Sequence, residues 1–132
     1  MVKKIFATAL ALFATLASCE QYLDVEDGPQ PIVLDTANFD QVVTNQKVVS
    51  ENPWFVKFYA PWCGHCKHLA PVWADLYDTH KDSLNVAKVD CTSDQGKALC
   101  SEYEIRGYPT LLYFPSDPEH SDKYFKYAGP RS

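Results

Sequence analysis

An α/β domain, a central mixed sheet flanked by helices, is what this chain predicts, and two observations carry that expectation. Short runs rich in Val, Ile, Leu and aromatic residues recur at 32–34, 54–60, 84–90, 110–114 and 123–127, with the length and composition of strands. The segments between the first four place apolar residues at helical spacing. The resulting order, β-α-β-α-β-α-β-β, sets three strands behind helical crossovers, which makes the sheet largely parallel, and ends in an antiparallel hairpin.

Taken in order, Ile32 to Leu34 is a short strand, and Asp35 or Thr36 is suited to cap a helix in which Phe39, Val42 and Val43 share an apolar face. Trp54 to Ala60 is apolar enough to be a buried strand. Cys63 to about His80 has the spacing of a long helix, with a kink expected at Pro71, whose ring removes an internal hydrogen bond. Leu84 to Asp90 alternates as a third strand, Ser93 or Asp94 to Tyr103 is a short helix, Thr110 to Phe114 a fourth strand and Lys123 to Tyr127 a fifth. The sheet face left open at the end calls for one more amphipathic helix. That helix is missing, because the sequence stops at Arg131 and Ser132, so a domain truncated at its C-terminus is expected.

Ahead of the domain, Lys3 and Lys4, the apolar run Ile5 to Leu16 and the small residues Ala17 and Ser18 read as a secretory signal over residues 1–17, with Thr15 and Ala17 suited to cutting after Ala17. The run is too short for a transmembrane anchor. Leu16-Ala17-Ser18-Cys19 also resembles a bacterial lipobox, which would make Cys19 a lipid-anchored N-terminus. Residues 18–31 form an acidic leader with Glu20, Asp24, Glu26 and Asp27. Residues 32–132 have the size of one domain, expected to be monomeric. With 12 Lys plus Arg against 17 Asp plus Glu the net charge is −5, and it becomes more negative when Lys3 and Lys4 leave with the signal. An acidic chain without a basic stripe argues against nucleic acid and anionic membranes as partners.

Chemistry concentrates in Pro61-Trp62-Cys63-Gly64-His65-Cys66-Lys67-His68. Cys63 falls where a strand hands over to a helix, so unpaired backbone N–H groups and the positive end of the helix dipole favour its thiolate, the species that attacks disulfides. Cys66 lies one turn on, on the same face, close enough to close a ring. His65, between the thiols, adds partial positive charge in favour of the Cys63 thiolate. Stabilising the reduced dithiol makes the disulfide a better oxidant, so the pair is expected to donate and reshuffle disulfides rather than chiefly reduce them. A structural zinc site is the competing reading, but such sites show a second close pair, whereas Cys91 and Cys100 stand nine residues apart. Covalent haem needs His directly after the second cysteine, and Lys67 is there. No metal and no organic cofactor is expected. Five cysteines in a secreted chain leave Cys19 as the odd one; Cys91 and Cys100 are then either free buried cysteines or, as an oxidising compartment favours, a structural disulfide.

Four motifs, Ala60-Pro61-Trp62-Cys63-Gly64-His65-Cys66-Lys67, Val89-Asp90-Cys91-Thr92, Arg106-Gly107-Tyr108-Pro109-Thr110 and Tyr127-Ala128-Gly129-Pro130-Arg131, together resemble the catalytic thioredoxin-like domain of the protein disulfide isomerase family over about residues 30 to 131. The resemblance implies a thioredoxin-like fold acting on protein disulfides in the lumen of the endoplasmic reticulum. It implies that Cys63 is the exposed nucleophile and Cys66 the resolving thiol, tuned by Gly64 and His65, and that Pro109 is a cis-proline beside the two sulfurs. Trp62, Tyr108 and Pro109 would then line a shallow apolar surface for client proteins, with an upstream oxidant or glutathione as redox partner. It also implies that Arg131 can swing toward Cys66 and lower its pKa. One departure stands out. The family commonly places a buried acid six residues before the first cysteine, to accept the proton of the second, and this chain has Lys57 there. An ammonium at that place either snorkels outward or stabilises a Cys66 thiolate, but while protonated it cannot take a proton. Client release by Cys66 is therefore expected to be slower than in members with the acid, and faster resolution of a mixed disulfide in wild type than in Lys57→Glu would contradict this. Two rival classes remain, a folding helper that binds clients without redox chemistry and an exported bacterial redox lipoprotein.

Overall fold

The computed structural model describes residues 28–45, 51–120 and 122–131. The expected signal, Cys19 and the leader as far as residue 27 lie outside the described residues. Five strands, β1 (Ile32–Val33), β2 (Trp54–Tyr59), β3 (Asn85–Asp90), β4 (Thr110–Phe114) and β5 (Phe125–Lys126), form one sheet in the order β1-β3-β2-β4-β5. Two α-helices flank it, α1 (Gly64–His80) and α2 (Asp94–Glu102).

The parallel core of the sheet is the part that helical crossovers dictate. β1 and β2 both run parallel to β3, with Ile32 opposite Ala87 and Lys57 opposite Lys88. β4 departs from the expectation of a largely parallel sheet, since it runs antiparallel to β2. After β3, α2 and residues 103–109 bring the chain to the end of the sheet where β3 finishes, and β4 starts with Thr110 opposite Phe58, near the end of β2. The β4–β5 hairpin is antiparallel as expected, with Leu112 opposite Lys126.

Strand alternation divides the core into two layers. Val56, Phe58, Val89, Leu112 and Phe114 face α2, where they meet Leu34, Phe39 and Leu99. Val86 and Leu111, with half-buried Phe55, face α1, where Leu69 and Trp73 cover them. The Trp73 indole Nε1 donates to the Ala87 carbonyl at 2.8 Å and fixes the rotation of α1 on the sheet. α1 is unbroken at Pro71. The carbonyl deprived of its N–H belongs to Lys67, and both residues are exposed, so water can serve it.

After β1 the expected helix is reduced to a short π-helical segment, Asp40–Thr44. Asp35 caps its start as expected: its Oδ1 accepts from the Ala37 amide at 2.7 Å, Asn38 Oδ1 accepts from the Asp35 amide at 2.9 Å, and the Asp35 carbonyl accepts from the Phe39 amide at 3.0 Å. Phe39 is still buried and Val42 and Val43 still pack against the core. On the α1 side, Tyr113, Phe125 and Tyr127 at the β4–β5 edge are exposed.

Candidate active site

β2 delivers the chain to the site. Past Tyr59, the Ala60 carbonyl accepts from the Cys63 amide at 3.1 Å, which closes a turn over Pro61 and Trp62, and the Cys63 carbonyl accepts from Lys67 at 3.0 Å to begin α1. Cys63 is therefore the N-cap of α1, with extended backbone at φ −80° and ψ 124°. An N-cap usually carries an oxygen that satisfies the first amides. Here a sulfur occupies that place and closes no cap bond, so the first amides are left for a thiolate.

The two thiols have opposite surroundings. The Cys66 thiol hydrogen-bonds the Cys63 sulfur, and with the Cys66 and His65 amides and the Arg131 charge it pulls the Cys63 pKa below its usual value, against a smaller desolvation effect. Burial dominates at Cys66 and pushes its pKa up to about 11, opposed by a backbone amide at Ala60 and by the charge of Lys57. A low thiol that can attack and a high thiol held in reserve is the asymmetry that stepwise disulfide exchange needs.

Across from Cys63 stands the loop before β4. The Tyr108–Pro109 bond is cis, as the resemblance implied, and Pro109 is buried. The Cys63 thiol donates to the Tyr108 carbonyl at 3.6 Å, which measures how near this loop lies. The rings of Trp62 and Tyr108 meet edge to face with centroids 5.8 Å apart, and Trp62 is 68% exposed. Gly64 and His65 are exposed, and a Cβ at Gly64 would touch nothing. A groove of about 570 Å³ continues from Tyr108 and Pro109 past Tyr124 and Tyr127 to Arg131.

Three residues do something other than the sequence suggested. Arg131 Nη1 donates to the Pro109 carbonyl at 3.0 Å, and in this position its charge contributes to lowering the Cys63 pKa. For His65 it is the backbone amide that acts on the Cys63 sulfur; the side chain stands in solvent. Lys57 does not snorkel. It is 3% exposed, with its Nζ 5.2 Å from the Tyr59 ring centroid and 5.9 Å from that of Trp73.

Lys57 also lines a cavity of about 360 Å³ together with Tyr59, Cys66 and Lys88. Lys88 is a residue that sequence reasoning missed. Its signal was available in the strand pattern, since Lys57 and Lys88 occupy matching polar positions in two apolar strands. Cys91 and Cys100 are bonded to each other, with their Cα atoms 5.7 Å apart, and join the start of the β3–α2 turn to α2 within the core layer away from α1. Among the described residues no group of three or more His, Cys, Asp or Glu is arranged to hold a metal ion.

Comparison with known proteins agrees with this geometry. The thioredoxin family model matches residues 30–132. Protein disulfide-isomerase 1 of Dictyostelium discoideum is 45% identical over 97% of this chain and 32% of its own length, and the protein disulfide-isomerase A6 homolog of Drosophila melanogaster is 42% identical over 76% of this chain and 22% of its own. The chain thus spans a third or less of these relatives. Among solved structures, the Trx4 domain of ERdj5 superposes with a TM-score of 0.65 at 26% identity, covering 77% of this chain and 85% of that one. The J-Trx1 fragment of ERdj5 does so with a TM-score of 0.60 at 33% identity, covering 76% and 45%.

Proposed function

The chain belongs to the thioredoxin family, and from that premise we propose that it is a thiol-disulfide oxidoreductase of the disulfide-isomerase kind, forming and rearranging disulfides in secretory-pathway proteins through Cys63 and Cys66. The observation that carries the proposal is the pair itself: a thiol with lowered pKa at a helix N-cap, backed by a buried thiol raised to about 11, with a cis-proline loop opposite.

In the isomerase and reductase direction, the Cys63 thiolate attacks a client disulfide, its sulfur bonds to one client sulfur, and the other client sulfur leaves as thiolate. The client then either exchanges internally, expelling Cys63, or waits until Cys66 attacks Cys63. That second attack forms the Cys63–Cys66 disulfide and frees the client as a dithiol, which oxidises the site by two electrons. Run backwards, the same steps oxidise a client, and an upstream oxidant or glutathione disulfide restores the site. The Tyr108 backbone and the Trp62 face offer an extended client segment a shallow place to pair and to rest its side chains.

Reduction of insulin and refolding of scrambled ribonuclease test this. Wild type turns over in both, Cys63→Ser is inactive, and Cys66→Ser accumulates a mixed disulfide on Cys63. A folding helper without redox chemistry would behave alike in all three, and that result would defeat the proposal. Residence in the secretory pathway, with the endoplasmic reticulum lumen as the compartment, is supported by the apolar run Ile5 to Leu16 behind Lys3 and Lys4 and by the Cys91–Cys100 bond, which needs an oxidising environment. Mass analysis of the mature N-terminus checks it: Ser18 first is expected, and diacylglycerol on Cys19 would instead establish the exported lipoprotein.

A further inference from the structure

Lys57 is the one charged side chain buried among the described residues, and a buried charge is costly unless its surroundings compensate it. Its surroundings are those of a cation. The faces of Tyr59 and Trp73 lie within 6 Å of Nζ, where ring quadrupoles attract positive charge. On the neighbouring strand Lys88 sits directly beside it in register, half-buried, and both line the cavity that Cys66 shares. The titratable groups that line this cavity with Cys66 are Lys57 and Tyr59 from β2, Lys88 from β3 and Lys67 from α1, and Cys63 hydrogen-bonds the Cys66 thiol. None of the residues lining this cavity is a carboxylate.

We infer that Lys57 is a positioning residue for the resolving step, its ammonium placed in the cavity wall to hold the negative charge that forms on Cys66. The inference rests on the thiol-disulfide reading and adds to it a residue that acts on the second thiol. In the step concerned the Cys66 thiol loses its proton to solvent, and the thiolate attacks the Cys63 sulfur of a mixed disulfide. The Cys63–Cys66 bond forms, the Cys63–client bond breaks, and the client sulfur departs with the electron pair. Cys66 and Lys57 are both buried, and between buried groups a cation is felt more strongly than at the surface. Against burial, which raises Cys66, the Lys57 charge is the side-chain influence that lowers it.

A probe that does not depend on clients decides the matter. The full chain is loaded with thionitrobenzoate on Cys63, and its release by Cys66 is followed by absorbance from pH 6 to 9. Removing a nearby opposite charge raises a pKa by roughly one unit. The smaller thiolate fraction then slows attack about tenfold, and the more basic sulfur recovers about threefold of that, for a net loss of roughly three- to fourfold. Lys57→Met is expected to release the probe slower by that factor across the whole window, with the slope of log rate against pH unchanged. Lys57→Arg should stay within about twofold of wild type, since it keeps the charge, and the Cys63 alkylation rate should stay unchanged in both. If Lys57→Met does not fold, Lys57→Gln replaces it with the same expectation. Release as fast as wild type in the neutral variant, or a loss that arginine does not restore, overturns the inference. Loading needs only a reactive Cys63, so inactivity on insulin or ribonuclease would sink the proposed function and leave this test standing.

Discussion

Three residues apart in sequence, Cys63 and Cys66 differ most in what surrounds their sulfurs. Cys63 gains amides and a hydrogen bond, whereas Cys66 loses water. Iodoacetamide at neutral pH is therefore expected to label Cys63 first, and in Cys63→Ser the remaining site thiol should still react more slowly than an open thiol, because burial, the largest cause of its raised pKa, is left in place. Equal labelling of both at pH 7 would contradict this. The signs for stability of the reduced protein are opposite. Because the folded-state pKa of Cys63 is lowered, its contribution is fully present above the unfolded value and fades as pH falls through the lowered one. Because that of Cys66 is raised, its contribution is present below the unfolded value and is lost as pH climbs from about 9 toward about 11. Reduced wild type should therefore lose more stability than Cys66→Ser across that alkaline interval, as urea melts at two pH values would read. His65→Ala should move the Cys63 labelling midpoint by only a few tenths of a unit, because the amide and not the exposed ring acts on the sulfur. A shift of a full unit would give the role back to the imidazole. The cysteines, Pro109 and Trp62 could be read from the sequence because local motifs position them. Which group Arg131 or His65 touches could not, since that depends on side-chain direction and on a loop 22 residues away.

Among the elements, α2 shows how one short helix is held against the sheet. Ser93 caps it, its Oγ accepting from the Gly96 amide at 2.9 Å and donating to the Asp90 carbonyl at 2.8 Å. Gly96 is pressed so closely on that turn that an added Cβ would collide with the Asp90 backbone oxygen. Backbone cannot move aside as a flexible side chain does, so Gly96→Ala should cost about 1–3 kcal/mol, and Ser93→Ala about 1 kcal/mol through the lost cap. Chemical denaturation measures both, and an unchanged midpoint in Gly96→Ala would show that the turn relaxes freely. Strand and helix identity in this chain were legible because alternation and helical spacing are local signals, and most boundaries fall within a residue or two. The direction of β4 was not legible, because a helix between two strands does not by itself say at which end of the sheet the chain re-enters. The cap at Asp35 was legible as well, since a side-chain oxygen that accepts from an amide two residues on is a local signal.

At the scale of the whole molecule, the two layers are tied together by the sheet, and the layer away from α1 is also closed covalently by Cys91–Cys100. A loop of this length restricts the unfolded chain enough to contribute about 2–3 kcal/mol. Replacing both cysteines by alanine should lower stability by about that amount while leaving thionitrobenzoate exchange at Cys63 unaffected, because the bond lies outside the redox pair; unchanged stability would mean that the packing of α2 alone suffices. The placement of the three tryptophans gives the molecule an optical handle. Trp54 and Trp73 are buried, and the Trp54 indole N–H finds no acceptor, so their emission should be blue and shielded from iodide. Trp62 is open to solvent and adjoins the nucleophilic sulfur. Its red-edge fluorescence should dim when the neighbouring dithiol closes and brighten when it opens, an unlabelled readout of the electron balance at a single bond.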